Sequence, residues 1–306
     1  MSDNFSAVIV NYNGSDFLLG AVSSLLKSGI VDMNIIVVDN GSSDNSIAEL
    51  LKKYSGVSVI EVGCNSGFAK AVNIGLDLVV TKYALLFNND ALLDVNALNE
   101  FESVFKDEPK AAILGAKLLN YDGTLQNSIA EFPHIFQEII KLNKYRGADF
   151  SRTTVVESVI GACLAVRMDI LRIVGKLDED FFFFLEETEF CLRATKLGYG
   201  VYYVPDAVAT HAQGGTANKF KSLARIEFHR SKLIYYKKTK GVIVWAIVSL
   251  LLVVKSLVNF VANFIVFLLL AGLNKKFKMK TAGYFKILLW HILLRPDSWG
   301  LPNKCR

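Results

Sequence analysis

Along the first 211 positions, short solid runs of apolar residues alternate with helix-spaced stripes, and each early run ends in polar residues. Ala7 to Val10 stops at Asn11, Ile35 to Val38 at Asp39 and Asn40, and Tyr83 to Phe87 at Asn88, Asn89 and Asp90. Runs of four or five apolar residues read as strands buried on both faces. Phe17 to Lys27 predicts a first helix with Gly29 as its stop. Asp44 to Tyr54 predicts a second, because Ile47, Leu50, Leu51 and Tyr54 fall at i, i+3, i+4 and i+7. Val57 to Val62 reads as a strand and Gly67 to Leu78 as a glycine-started helix. Asp94 to Phe105 and Ala111 to Leu118 continue the alternation, and Tyr121 to Thr124 marks a hairpin turn. Such alternation argues for an α/β fold with a mainly parallel sheet covered on both faces. In open sheets of that kind ligands bind beyond the carboxyl ends of the strands, so three polar strand ends predict a nucleotide-sized ligand.

Leu125 to Val155 has weak periodicity and is expected to be a partly mobile excursion over the active site. Order resumes with a strand over Gly161 to Arg167, then Met168 to Val174, the apolar run Phe181 to Leu185, and a helix over Glu186 to Lys196 stopped by Gly198. Val201 to Val204 and Ala207 to His211 read as two closing strands separated by Pro205. The pattern then changes. Across the 31 residues from Val242 to Gly272 the only strongly polar positions are Lys255, Asn259 and Asn263, which recur every four residues and so share one helix face.

Composition sharpens that division. A hydrophobic content of 52% and a mean hydropathy of +0.34 are concentrated in the last third. The net charge of +5 hides a split: residues 1–217 hold 17 basic and 27 acidic groups, whereas residues 218–306 hold 17 and 2. The expected division is a catalytic domain over 1–225 and a basic, apolar helical region over 226–306. The basic clusters flank an apolar segment without interleaved base-stacking aromatics, which fits an anionic membrane surface and not nucleic acid. As one helix, Val242 to Gly272 would be about 46 Å long, more than one hydrocarbon core. Lys232, Lys237, Lys238 and Lys240 precede it, and Lys275, Lys276, Lys278 and Lys280 follow it. A single span would export one cluster against the positive-inside tendency. An interfacial helix or a re-entrant hairpin with both flanks cytosolic is favoured, and a tilted span is the alternative. Tyr284 to Leu294 is a second interfacial candidate. Cys64, Cys163, Cys191 and Cys305 have no paired spacing and predict neither a zinc site nor a disulfide framework. Met1 to Ser6 lacks a secretory pattern, so the expected location is the cytoplasmic face of the cell membrane.

The first loop, Asn11 to Ser15, lacks the Gly-x-Gly-x-x-Gly of dinucleotide folds, which argues against an oxidoreductase. Asp39 is placed to accept a proton from a pyrimidine ring N–H, with an Asx turn before a helix as the alternative. Asn65 and Asn73, around the Gly67 helix start, are candidates for the base or a sugar phosphate.

Taken in order, VIVNYNG, IIVVDNGSSDNS, NSGFAKAVNIGL, YALLFNNDALL, GACLAVR and GKLDEDFFFFLEETEFCLRATKLGYGVYYVPDAVATHAQGG resemble the family 2 glycosyltransferases of GT-A fold, and within them the branch that includes bacterial rhamnosyltransferases. The resemblance covers roughly residues 5–216. It implies a nucleotide-sugar donor, dTDP-rhamnose or a UDP-sugar, with a divalent metal and inversion at the anomeric carbon. Asn11, Asp39, Asn65, Gly67, Asn73, Asn89 and Asp90 would line the donor site. Asp90 matches the last acid of the family's Asp-x-Asp element, with Asn88 in place of the first, and His211 matches the histidine that completes the metal site. One carboxylate, one imidazole and phosphate oxygens suit Mg2+ or Mn2+. Glu186, Glu187 and Glu189 fall where the family carries Glu-Asp-x-Asp. Position assigns the base to Glu187, and because the family has Asp there Glu186 remains the alternative. Arg193 reads as a salt-bridge partner. The family's phosphate-binding arginine is replaced by Val72, with Lys70 nearby.

The implied activity is transfer to a lipid-linked saccharide in surface-polysaccharide synthesis. The alternatives are a polyprenyl-phosphate glycosyl synthase and a catalytically inactive nucleotide-sugar-binding scaffold. Deleting 242–306 is expected to spare donor binding and to abolish transfer to a lipid-linked acceptor.

Overall fold

The computed structural model describes residues 4–140, 144–145, 147–212, 221–270 and 273–305. Strands β1 (Phe5–Asn11), β2 (Ile35–Asp39), β3 (Ser58–Glu61) and β4 (Tyr83–Asn88) form a parallel array in the order β3-β2-β1-β4. Helices α1 (Leu18–Lys27), α2 (Ser46–Lys53) and α3 (Phe68–Leu76) make the crossovers that parallel pairing requires. Register sets Asn11 beside Asp39 and Val10 beside Asn88, so the polar strand ends share one edge.

The chain continues through β5 (Ala91–Leu93), α4 (Ala97–Asp107), β6 (Ala111–Leu119), β7 (Ile129–Ala130), α5 (Ile135–Ile139), β8 (Thr154–Val155) and β9 (Ser158–Val159). It then forms β10 (Cys163–Arg167), α6 (Met168–Val174), α7 (Glu186–Lys196) and β11 (Gly200–His211). Beyond β4 the sheet is mixed, in the order β4-β10-β6-β11-β5. The β6–β11 pair is parallel as well, and antiparallel pairing enters where β10 joins β4 and β6 and where β5 and β8 join β11. The chain re-enters beside Phe87, at the carboxyl end of β4, so β10 has to run back antiparallel. β11 corrects a second expectation, since the two strands expected around Pro205 are one. A register shift between Val204 and Val208 leaves the proline off the ladder, which a residue without an N–H requires.

Side chains alternate across the sheet and feed two cores. Phe5, Ala7 and Ile9 pack with Leu18, Leu25 and Phe101 on one face, while Val8, Val38 and Leu86 pack with Val72, Leu171 and Phe190 on the other. The segment expected to arch over the active site is folded beside it. β7 pairs with β9 and β8 with β11, and α5 is carried to the C-terminal helices by Glu138, which accepts from Lys232 Nζ at 2.6 Å. Residues 141–143 and 146 of that segment lie outside the described residues.

The tail comprises α8 (Lys221–Lys240), α9 (Val242–Leu269) and α10 (Lys275–Ile292). Tyr235 of α8 packs with Phe181 and Leu192 of the body, and Ser231 Oγ donates to the Phe183 carbonyl at 2.8 Å. α9 is one unbroken helix, about 42 Å long, so no hairpin interrupts it. The reversal follows it instead: Phe260 meets Phe285 at 5.8 Å and the Arg295 guanidinium sits over Trp245 at 5.5 Å, which makes α9 and α10 an antiparallel pair. Val248 and Leu252 pack against Ile226, Leu233, Ile287 and Trp290 in a small core of their own. On the opposite side Ile243, Ile247, Leu250, Val254, Leu257, Val261, Ile265 and Leu268 form an exposed stripe at steps of three and four. Asn259 and Asn263 donate to the carbonyls one turn back at 2.8 and 2.7 Å, so their amides are satisfied within the helix.

Candidate active site

A cleft of about 330 Å³ opens at the carboxyl edge of the sheet, walled by β4, the Gly161 turn, the Phe182–Phe184 run and the start of α7. Asp90 lies in the two-residue turn between β4 and β5. Because β5 pairs antiparallel with β11, Ala91 is opposite His211, and the Ala212 N–H donates to the Asp90 carbonyl at 3.0 Å. That pairing brings Asp90 Oδ1 to 3.2 Å from His211 Nε2, both groups less than a tenth exposed. Asn88 Nδ2 approaches the same imidazole nitrogen at 3.3 Å.

Gln126 sets the imidazole's role. Its Oε1 is 3.1 Å from His211 Nδ1, and its Nε2 donates both to the His211 carbonyl and, at 2.8 Å, to Asn120 Oδ1. With the Gln126 amide fixed in this way, Nδ1 faces an acceptor oxygen and Nε2 is the ring nitrogen turned to the cleft beside Asp90. No pattern in the sequence marks Gln126.

Across the cleft, Glu186 and Glu187 open α7. The preceding residues, Phe184 and Leu185, have φ of 74° and 67°, a left-handed conformation that swings the chain so the first turn faces inward. Glu186 Oε2 and Glu187 Oε2 are enclosed and lack a hydrogen-bond partner among the described residues. Burial pushes the Glu186 carboxyl well above the usual carboxylate range, and the neighbouring Glu187 charge adds to this. Burial raises Glu187 as well, offset in part by the backbone N–H groups of Glu187, Gly161 and Thr188. Glu187 nevertheless keeps part of its surface open to the cleft. Glu189 differs: both its oxygens accept from Arg193 Nε, at 2.8 and 2.9 Å, the structural pairing expected for that arginine.

The other predicted residues separate into groups. Asn65, Gly67, Asn89, Asp90, His211, Glu186 and Glu187 all line the cleft. Asn11 and Asp39 lie just behind it. Asn11 Nδ2 donates to Asp39 Oδ1 at 3.1 Å and to Ser46 Oγ at 2.9 Å, while Asn89 Nδ2 donates to Asn11 Oδ1 at 3.0 Å. Gly14 is required here, because a Cβ would fall 2.2 Å from Asn11 Oδ1 and 2.4 Å from Asn89 Nδ2. Asn73 is not among the lining residues. It donates to the Leu177 carbonyl and Glu179 and accepts from the Leu177 N–H, fixing the acidic loop against α3. Lys70 is exposed and does not line the cleft.

One expectation is overturned. Cys64 and Cys305 form a disulfide across 241 residues of sequence, which local spacing cannot reveal. It fastens the C-terminal segment to the Asn65 loop, and Leu301 and Pro302 of that segment line the cleft. Deleting 242–306 would therefore remove part of the cleft wall, and the expectation that such a deletion spares donor binding does not follow from this structure.

The described lining carries three carboxylates and no Lys or Arg. No group of three or more His, Cys, Asp or Glu side chains converges among the described residues. Asp90 and His211 supply two donors of a hard and borderline kind, and a Mg2+ or Mn2+ ion would complete its shell with phosphate and water oxygens.

The sequence profile of Glycosyl transferase family 2 matches residues 6–174. A dTDP-rhamnosyl transferase of Shigella flexneri is 28% identical over 241 residues, covering 78% of each chain. An N-acetylglucosaminyl-diphospho-decaprenol L-rhamnosyltransferase of Mycobacterium tuberculosis is 22% identical over 261 residues, covering 77% of this chain and 84% of its own. Among solved structures, a mannosyltransferase of Pyrobaculum calidifontis in complex with GDP-Man and Mn2+ superposes with a TM-score of 0.53 at 13% identity, over 95% of this chain and 86% of that one. GalNAc-T7 with UDP, GalNAc and Mn2+ gives 0.54 at 18% identity, over 68% of this chain and 43% of that one. The fold is GT-A, and the chain belongs to glycosyl transferase family 2, with rhamnosyltransferases among its relatives.

Proposed function

We propose that this glycosyltransferase moves a sugar, with inversion, from a nucleoside-diphosphate donor to a lipid-linked saccharide at the cytoplasmic face of a membrane, and that it needs a divalent cation. The observation that carries the reading is one cleft with Asp90 and His211 on one side and Glu186 and Glu187 on the other. A cation held by Asp90 and His211 would neutralise charge on the departing diphosphate. Asp39, oriented by Asn11 and by Ser42, is suited to accept from a pyrimidine N–H. Asn65, Gly67 and Asn89 border the same space. Glu187 is the base: the residue lines the cleft with part of its surface open, and burial raises its carboxyl above the usual range, in the direction that suits a general base. Glu186, more deeply enclosed and with its carboxyl raised further, sits beside it.

The Shigella relative's name favours dTDP-rhamnose as donor, a UDP-sugar being the alternative, and the Mycobacterium relative's name supports a lipid-linked acceptor. The exposed α9 stripe and the surplus of 17 basic over 2 acidic residues in 218–306 support docking on an anionic bilayer through region 226–306, next to a catalytic domain over 1–225. The test is a donor panel scored for release of nucleoside diphosphate with Mg2+, with Mn2+ and with chelator, and for the anomeric configuration of the product. Turnover that survives chelation, or a product that retains configuration, overturns it.

A further inference from the structure

The C-terminal segment from Gly300 to Cys305 is built into the cleft in a way the proposed chemistry does not use. Its backbone pairs with the loop after β3: the Asn65 N–H donates to the Asn303 carbonyl at 2.9 Å, and the Cys305 N–H donates to the Asn65 carbonyl at 2.9 Å. Asn65 Nδ2 adds a bond to the Pro302 carbonyl at 3.1 Å. Asn303 Nδ2 donates to the hydroxyl of Tyr12 at 2.9 Å, and Tyr12 lines the cleft from the loop after β1. Lys304 stands 4.4 Å over the Phe182 ring and pairs with Glu227, whose side chain is fully buried. Glu227 also accepts from the Leu301 N–H at 3.1 Å and pairs with Arg230. Gly300, at φ 121°, lets the chain pass Glu227, since a Cβ there would fall 1.8 Å from Oε1. The Cys64–Cys305 disulfide closes the arrangement from outside, with Cys305 exposed.

We propose that residues 301–305 form a strap that completes the nucleoside end of the donor site, and that the Cys64–Cys305 disulfide is a redox-responsive clamp on it. This rests on the nucleoside-diphosphate reading above. The strap ties together Tyr12 from the β1 loop and Asn65 from the β3 loop, and the Asp39 loop lies between them in the sheet order. Holding those loops in place before the donor arrives removes part of the ordering cost of binding. Opening the clamp is a balanced exchange. A dithiol reductant's thiolate attacks the exposed Cys305 sulfur, the Cys64 thiolate leaves and takes up a proton, and the second thiol then resolves the mixed disulfide, releasing Cys305 as a thiol and the reductant as a cyclic disulfide. In a thiol-rich compartment this pair rests open, and a low-molecular-weight disulfide closes it by the reverse exchange.

The experiment measures binding of UDP and of dTDP, each with Mn2+, to the full-length protein by calorimetry, before and after reduction with a dithiol. Peptide mapping without reductant reports the Cys64–Cys305 link. Reduction is expected to weaken binding by about five-fold, the order expected when one or two side chains must be re-ordered. Cys305→Ser should bind like the reduced protein and no longer respond to reductant; as an exposed position near the chain end it leaves folding intact, which circular dichroism checks. Equal affinity in both redox states, or tighter binding after reduction, overturns the strap proposal alone. No binding of either nucleotide to the oxidised wild-type protein overturns the donor reading beneath it.

Discussion

Asp90 shows how much one position can reveal. A buried apolar run ending in Asn88, Asn89 and Asp90 made the carboxylate conspicuous, and it stands 3.2 Å from His211 Nε2. Gln126, which orients that imidazole, was not legible, because hydrogen-bonding to a histidine 85 residues away leaves no local pattern. Asp90→Asn is expected to lower kcat/KM on the order of 100-fold or more while the melting temperature stays within a degree or two of wild type; steady-state kinetics beside a thermal melt checks both. The two glutamates separate by pH. Glu187 must be ionised to act, and burial raises its carboxyl, so turnover should fall as pH drops through a value above the usual 4.5, and Glu187→Gln should remove activity and the acid limb together. Glu186 makes a stability prediction with a definite sign. Its folded-state affinity for protons is raised, so its contribution is fully present below pH 4.5 and is lost as pH rises through the folded value. Glu186→Gln should therefore melt higher than wild type at neutral pH, with the gap closing towards pH 4; a constant gap would refute the assignment.

Among the elements, α7 and the parallel strands were legible from pattern, since solid apolar runs and helix-spaced stripes leave little choice of conformation. The pattern over Glu186 to Lys196 predicts that helix with its observed bounds. β5 is not legible, because three residues, Ala91 to Leu93, are too few to show a period, yet that short strand is what brings Asp90 to His211. Pro205 read as a break because a proline cannot donate to a ladder, and the bulge that absorbs it depends on the partner strand β6. The pairing of Cys64 with Cys305 depends on how the tail folds back, which neither cysteine's neighbours encode. Gly67 offers a test at this scale. It has φ +88°, and a Cβ would fall 2.7 Å from the Phe182 carbonyl oxygen, which accepts from the Phe68 N–H. Gly67→Ala should cost about 1–2 kcal/mol from the left-handed torsion, read by denaturant unfolding, and should weaken donor binding because the α3 start and the Phe182 wall move apart.

For the whole molecule, the division of charge and the α9 stripe act together. Vesicle flotation should show preference for anionic over neutral lipid, and raising salt should erase the preference while leaving a residual apolar component. Leu250→Lys with Leu257→Lys, both on the exposed stripe, should lower vesicle partitioning by about ten-fold or more. Donor binding in detergent should be unchanged, because these side chains are remote from the cleft lining. Loss of donor binding in that variant would mean that the exposed face of α9 itself supports the catalytic body.

The two left-handed residues before α7, Phe184 and Leu185, carry a further consequence. Each is held in a torsion that costs about 1–2 kcal/mol for a side chain of its kind, a standing tension maintained so that two acids point the same way. A search for heat-tolerant variants would find this hinge early, since relaxing it is an easy route to a sturdier protein. The sturdier protein would aim its glutamates elsewhere, and durability and turnover would trade against each other at a single bend of the chain.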